Sequence, residues 1–379
     1  MWRKLVALMR FDGFRPGVKV NPLKTRRPAG ATPLTEAPFA PNSGNLRMFR
    51  YLPRGLKAGA PLVVVLHGCG QTAGGYGQGA GWCELADALG FAVLAPEQKA
   101  VNNPNTCFNW FNPEDITRGQ GEAASIATMI ANLVQTHRLD SSRVFITGLS
   151  AGGAMTAVML ATYPELFAGG AIIAGLPFGA AANVRDALES MRSAPLRTPH
   201  QWGDEVRAAS DHKGPWPRIS IWHGALDTMV NINNAQASLA QWADLHGLSL
   251  SDAKQEMVDG AIRLSWGDRL EVYTLATLGH GTPIDSGDVG QPAPFILDAG
   301  ISSARRIAAF WGLAPAAASK PAPKPAPERI VPPPQLVLPE IMAALQRPPE
   351  PAPEHASVQM KTQNVILRAL TAAGLIRRR

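Results

Sequence analysis

The stretch RVFITGLSAGGAM at 143–155 constrains this chain more than any other. Val144, Phe145, Ile146 and Thr147 have the β-branched and aromatic character of a buried strand, and Ala154, Met155, Ala157, Val158, Met159, Leu160 and Ala161 read as a helix that follows directly. Between them stands Gly148-Leu149-Ser150-Ala151-Gly152, a G-x-S-x-G turn in strand–turn–helix context. Such a turn holds its serine in a backbone conformation that neighbouring side chains would obstruct, so glycines flank it. The serine hydroxyl then stands clear at the carboxyl edge of a sheet, and the N-terminus of the helix aims free N–H groups at an oxyanion formed beside it.

The elements around this turn repeat one pattern. PLVVVL at 61–66 is a continuous apolar run of strand length, as expected for a strand covered on both faces, and it ends in HGCGQ at 67–71. A glycine-rich loop, a helix near 82–89 and a buried strand at 91–96 come next, then a polar loop carrying CFNWF at 107–111. Ile126, Met129, Ile130, Leu133 and Val134 put one apolar face on a helix at 122–137. Further strands are expected at 168–174, 218–222 and, as the last one, 272–276, with helices at 234–245 and 301–311. LRMFRYLP at 46–53 reads as an outer, edge strand, and 14–44 as irregular. Alternating strands and helices with short links predict an α/β chain with a mostly parallel central sheet, helices on both faces and catalytic groups at the strands' carboxyl ends.

Residues 176–216 break the alternation and are expected to be a lid or specificity insertion beside the active site. The catalytic domain then spans 45–313, preceded by a basic, largely irregular segment at 1–44. A proline- and alanine-rich linker at 314–356 and a short basic tail at 357–379 follow.

The 379 residues carry a net charge of +7, but the charge is not spread evenly. Residues 1–30 hold +7 and residues 356–379 hold +5, so the body between them is at −5. An acidic body with basic ends argues against a nucleic-acid-binding domain and suggests peripheral contact between the tails and an anionic surface or granule. No apolar run reaches the length of a membrane span, and Leu5 to Met9 is too short for the core of a secretory signal, which leaves the compartment open. Cys69, Cys83 and Cys107 have no metal-ligand spacing, and no metal or cofactor is expected. Cys69 and Cys107 belong to loops at the same sheet edge, so they are expected to be able to bridge in an oxidising compartment while Cys83 stays apart. Three reduced thiols are the alternative.

A serine hydroxyl needs a positioned base, and the base needs a carboxylate to fix its tautomer and stabilise the imidazolium. In the chain order nucleophile, acid, histidine, the residues Ser150, Asp227 and His280 fit, each following an expected strand. His223 precedes Asp227 in the same loop and is read as shaping that turn. His67 sits where the second oxyanion donor is expected, and a structural loop histidine is the alternative role for His280. The oxyanion hole is assigned to the N–H groups of Ala151 and Cys69.

HGCGQ at 67–71, PEQ at 96–98, CFNWF at 107–111, GLSAGGAM at 148–155, HGALDTMV at 223–230 and GHG at 279–281 resemble the poly(3-hydroxybutyrate) depolymerase family of esterases, itself similar to feruloyl and acetylxylan esterases. The resemblance covers about 45–312. It implies an α/β-hydrolase fold and attack on a carboxylic ester, polymeric in many members and outside the cell in many. In the CFNWF loop, which follows a sheet strand, Trp110 and Phe111 are candidate substrate contacts, with a local hydrophobic plug as the alternative. The chain departs from the family in having Phe108, where a second tryptophan is frequent, and Gly281-Thr282-Pro283, where a tryptophan often follows the histidine. Alternatives are a feruloyl- or acetylxylan-type carbohydrate esterase, or a protein that only binds a polymer granule or lipid surface.

Overall fold

Strand residues that alternate between two apolar cores set the architecture. The computed structural model describes residues 32–314. Along the chain the elements are β1 (Thr35–Ala37), β2 (Arg47–Tyr51), β3 (Leu62–Leu66), α1 (Ala73–Gly79), α2 (Trp82–Leu89), β4 (Ala92–Glu97), α3 (Pro113–Ile116) and α4 (Gly121–His137). There follow β5 (Val144–Leu149), α5 (Ala151–Thr162), β6 (Gly169–Ile173), α6 (Val184–Arg192), α7 (Pro199–Ala208), β7 (Arg218–Gly224) and α8 (Asn233–Leu245). The last elements are β8 (Lys254–Val258), β9 (Ala261–Trp266), β10 (Leu270–Leu275), β11 (Thr282–Ile284), β12 (Ile296–Asp298) and α9 (Ser303–Phe310).

Among the described residues ten strands form one sheet in the order β1-β2-β4-β3-β5-β6-β7-β10-β9-β8. The run from β4 to β10 is parallel, and the outer strands on each side are antiparallel. Leu62, Val64, Leu66, Val144, Ile146, Ile172 and Ile221 face one core, which α4, α5, α7 and α8 cover. Val63, Val65, Phe145, Ala171, Ile173 and Trp222 face the other, under α2 and α9. All twelve residues of α5 are buried, so the helix that starts at the serine turn is apolar all round and held on every side. This is the α/β-hydrolase architecture, with a mostly parallel sheet between two helical layers.

Several expectations need correcting. The strand in LRMFRYLP is not an edge: β2 pairs with β4 on one side and with β1 on the other, and β1 lies in the stretch expected to be irregular. The glycine-rich stretch after HGCGQ is not a loop but α1, capped by Thr72, whose Oγ1 accepts the Gly75 N–H at 3.1 Å. Packing overrides glycine's poor helix propensity there, since a Cβ on Gly79 would lie 2.5 Å from Ile296 Cδ1. The hairpin β8–β9 goes unexpected, and 272–276 is not the last strand, because the short pair β11–β12 follows. Residues 176–216 fold as α6 and α7, with Trp202 and Val206 buried and α7 against α8. No helix among the described residues is long and apolar enough to cross a membrane. The expected proline linker and basic tail, and all but the end of the N-terminal segment, lie outside the described residues.

Candidate active site

Ser150 joins β5 to α5 with φ 57° and ψ −118°, a backbone conformation that non-glycine residues rarely take. Its own N–H is anchored to the Ile173 carbonyl at 2.9 Å, which ties the turn to the neighbouring strand β6. The flanking glycines are required by space. A Cβ on Gly148 would sit 2.3 Å from the Gly152 carbonyl oxygen, and one on Gly152 would sit 2.3 Å from the Leu66 oxygen and 2.6 Å from the His67 oxygen. The turn is thus wedged against the end of β3, the strand that leads into HGCGQ.

Asp227 and His280 come from loops after β7 and β10, adjacent parallel strands. Gly224 brings the loops together, since a Cβ there would be 2.2 Å from the Leu278 carbonyl oxygen, and the Leu226 N–H bonds that same oxygen at 3.0 Å. His280 Nδ1 lies 2.7 Å from Asp227 Oδ2, while Asp227 Oδ1 accepts the N–H groups of Met229 and Val230, each at 2.9 Å. Burial opposes ionisation of Asp227, but the His280 hydrogen bond and charge, the Val230 N–H and nearby His223 outweigh it, so the carboxyl is held below the usual carboxylate range. The carboxylate is therefore ready to orient an imidazole through Nδ1, leaving Nε2 for chemistry.

His223 is buried beneath this pair. Its Nε2 lies 2.8 Å from the Val230 carbonyl oxygen and 3.4 Å from Asp227 Oδ2. Burial lowers its basicity. It braces the 227–230 turn.

In the turn after β3, where the second donor is expected, most backbone N–H groups are already engaged. The Gly68 N–H goes to Gln71 Oε1 (2.9 Å), the Gly70 N–H to the Asn105 oxygen (2.9 Å) and the Gln71 N–H to the Gly68 oxygen (3.2 Å), whereas the Cys69 N–H has no partner among the described residues. Ala151 opens α5, where the first-turn N–H groups have no intrahelical acceptor. His67 is fully buried. Its Nε2 accepts the Gln98 N–H at 3.1 Å, and its Nδ1 faces the Gly68 oxygen at 2.8 Å. Burial pushes its pKa down to about 4, so the ring is neutral and holds the turn.

Cys69 is bridged to Cys107, and Cys83 is buried outside the bridge. The disulfide fastens the turn after β3 to the aromatic loop, in which Phe108 packs tilted against His67 with ring centres 4.9 Å apart. Of the two expected substrate contacts, Trp110 is only 7% exposed and belongs to the core, whereas Phe111 is half-buried, edge-on to Trp110 at 5.5 Å.

Three groups escape the sequence reading. Phe295, in the left-handed region at φ 62°, packs edge-on against His280 at 5.7 Å. Gln98 and Glu122 form a buried polar pair under the aromatic loop. PEQ at 96–98 is the one available signal for Gln98, and Glu122 reads as an ordinary acidic residue in a helix's first turn. Among the described residues no group of three or more histidine, cysteine or carboxylate side chains is disposed to hold a metal.

The family model described as esterase PHB depolymerase matches residues 46–263. The chain belongs to this family. Poly(3-hydroxyalkanoate) depolymerase C of Paucimonas lemoignei is 44% identical over 285 residues, 73% of this chain and 69% of that protein. Acetylxylan esterase of Coprinopsis cinerea is 35% identical over 263 residues, 66% of this chain and 69% of that protein. Feruloyl esterase B of Thermothelomyces thermophilus is 32% identical over 261 residues, 65% and 87% respectively. Among solved structures, the acetyl xylan esterase from Aspergillus awamori superposes with a TM-score of 0.64 at 28% identity, over 74% of this chain and 99% of that one. The esterase is accordingly a hydrolase of carboxylic esters.

Proposed function

We propose that the esterase works through an acyl-enzyme on Ser150, with 3-hydroxyalkanoate esters as its substrate class. The observation that carries this reading is the Asp227–His280 hydrogen bond, made between the loops after β7 and β10 at the carboxyl edge of the parallel sheet that also carries the strained Ser150 turn. Ser150 Oγ attacks the ester carbonyl as His280 Nε2 takes its proton, and the Ala151 and Cys69 N–H groups hold the oxyanion. As the intermediate collapses, the C–O bond to the alcohol breaks and His280 returns the proton to the departing oxygen. Water then attacks the acyl-enzyme by the same route, releasing the acid and restoring Ser150. Asp227 stays ionised throughout.

Support for a hydroxyalkanoate comes from the higher identity to the depolymerase than to the carbohydrate esterases. Leu226 and Met229 also point the same way, since they flank Asp227 and are 61% and 45% exposed, an apolar rim suited to an aliphatic polyester. The second reading, an acetylxylan-type esterase, is favoured by the similarity to the A. awamori structure along nearly its full length. Rates on hydroxybutyrate oligomers, acetylated xylan and feruloyl sugars separate them. Hydroxybutyrate release at a kcat/KM at least tenfold above the sugar esters is expected, and the reverse order would transfer the assignment.

The basic segments at 1–30 and 356–379 are assigned peripheral contact with an anionic granule or lipid surface, on their charge of +7 and +5 alone. A chain trimmed to 32–314 should keep its rate on soluble esters and lose low-salt activity on granules. Equal granule activity would remove the tails from the account.

A further inference from the structure

The oxyanion turn is held from below by a buried carboxyl that the chemistry of the triad does not use. Glu122 lies in the first turn of α4 with its side chain fully buried. One of its oxygens accepts from Gln98 Nε2 in a short hydrogen bond, and the other accepts the Asn109 N–H at 2.9 Å. Gln98 is saturated in turn. Its Nε2 also donates to the Cys107 oxygen at 3.0 Å, and its Oε1 accepts from the Lys99 N–H at 2.9 Å and from Asn102 Nδ2 at 2.8 Å.

From this pair two routes reach Cys69. The first runs from the Gln98 N–H to His67 Nε2, then from His67 Nδ1 to the Gly68 oxygen, one residue before Cys69. The second runs from Gln98 to Cys107 and across the disulfide. A third contact, from Glu122 to the Asn109 N–H, fixes the middle of the aromatic loop on the same carboxyl. Burying a carboxylate here is costly, and the nearest charge worsens it: burial first, and then Asp115 at the end of α3, push the pKa up to about 8. The other titratable and charged neighbours give it no counter-charge, since His67 is neutral and Lys99 Nζ is turned to Asn45 Oδ1 at 2.7 Å.

We infer that Glu122 is a positioning residue for ester hydrolysis, which through Gln98 fixes the Cys69 N–H where the oxyanion forms. This rests on the acyl-enzyme reading above. Both carboxyl oxygens act as acceptors, a pattern complete only when Glu122 is ionised. A glutamine at 122 imitates the protonated acid and would turn a donor against a donor in place of the ionised form.

The test compares wild type with Glu122→Gln and Gln98→Met on p-nitrophenyl butyrate from pH 6.5 to 9.5, with every rate divided by the sites titrated by a fluorophosphonate. Gln98→Met removes the side-chain amide but keeps the backbone N–H that reaches His67. At pH 9, kcat per titrated site should fall about 10- to 100-fold in both variants, the range for a displaced rather than deleted donor. KM should change less than threefold. The Glu122→Gln deficit should shrink as the pH falls through about 8, because wild-type Glu122 then becomes protonated too. Unchanged kcat per site at pH 9 in a labelled, folded Gln98→Met or Glu122→Gln enzyme would overturn the inference while leaving the acyl-enzyme intact. A wild-type enzyme that the fluorophosphonate does not label would overturn both.

Discussion

Asp227 and His280 stand 53 positions apart in the chain and meet at 2.7 Å, because Gly224 lets the loop after β7 press directly against the loop after β10. The carboxylate is held at both ends. Two backbone N–H groups fix Oδ1, and His280 takes Oδ2, with His223 behind.

Replacing Asp227 by asparagine should therefore leave the fold in place and remove the orientation of His280. An amide at this position either presents N–H to Nδ1 or loses the acceptor for the 229–230 turn. A fall in kcat of about 10⁴ is expected, the size seen when the acid of such a triad becomes an amide. Steady-state kinetics on a p-nitrophenyl ester, with circular dichroism to check folding, measures it. A loss below tenfold in a folded variant would remove Asp227 from the triad.

The glycine after the serine turn is a second point of failure. In Gly152→Ala the new methyl would meet the Leu66 and His67 carbonyl oxygens at 2.3 and 2.6 Å, and backbone cannot step aside as a side chain can. Destabilisation of about 3 kcal/mol, the upper end for overpacking, is expected in urea unfolding. Activity should fall with it, because relief requires moving the end of β3 and the turn proposed to hold the oxyanion. A variant with wild-type stability and kcat would show that the two strand ends are not in contact.

Much of this site is legible in the sequence because its determinants are local. Gly148, Ser150 and Gly152 sit within one turn, and Asp227 and His280 each stand a few residues past an apolar strand, so a parallel sheet carries them to one edge. The β8–β9 hairpin is also written locally, as Asp259-Gly260 with both residues at positive φ, a two-residue turn between strands. Other parts are not local. AGGYGQG reads as a loop by propensity, yet α1 is fixed by burial of Tyr76, whose hydroxyl pairs with Thr282 Oγ1 at 3.0 Å across the chain. Glu122 looks like a solvated charge at a helix start, and only the packing of the aromatic loop over it makes it a buried acceptor.

Two titrations with opposite signs shape stability against pH. Burial pushes His67 and His246 down to about 4, so the folded chain refuses protons that the unfolded chain binds below about 6.5. Their contribution is complete above pH 6.5 and is lost on acidification towards 4, at no more than about 1.4 kcal/mol per pH unit for each ring. Glu122, pushed up to about 8, retains a proton in the folded chain that the unfolded chain has released above about 4.5, so it favours folding more as pH falls from 8. Urea unfolding should show stability rising from pH 8.5 to about 6.5 in wild type, with that rise absent in Glu122→Gln. Identical profiles for the two proteins would place Glu122 in an ordinary solvated environment.

The proposed mechanism requires a covalent bond to Ser150, and rapid-quench mass spectrometry of the intact esterase with a p-nitrophenyl 3-hydroxybutyrate substrate reads that bond directly. Wild type should gain the mass of one hydroxybutyryl group, traced by peptide mapping to the segment containing Ser150, at the rate of the p-nitrophenol burst. Ser150→Ala should show neither the adduct nor turnover above about one part in 10⁴. Turnover by Ser150→Ala at the wild-type rate, or an adduct on another residue, would contradict the account.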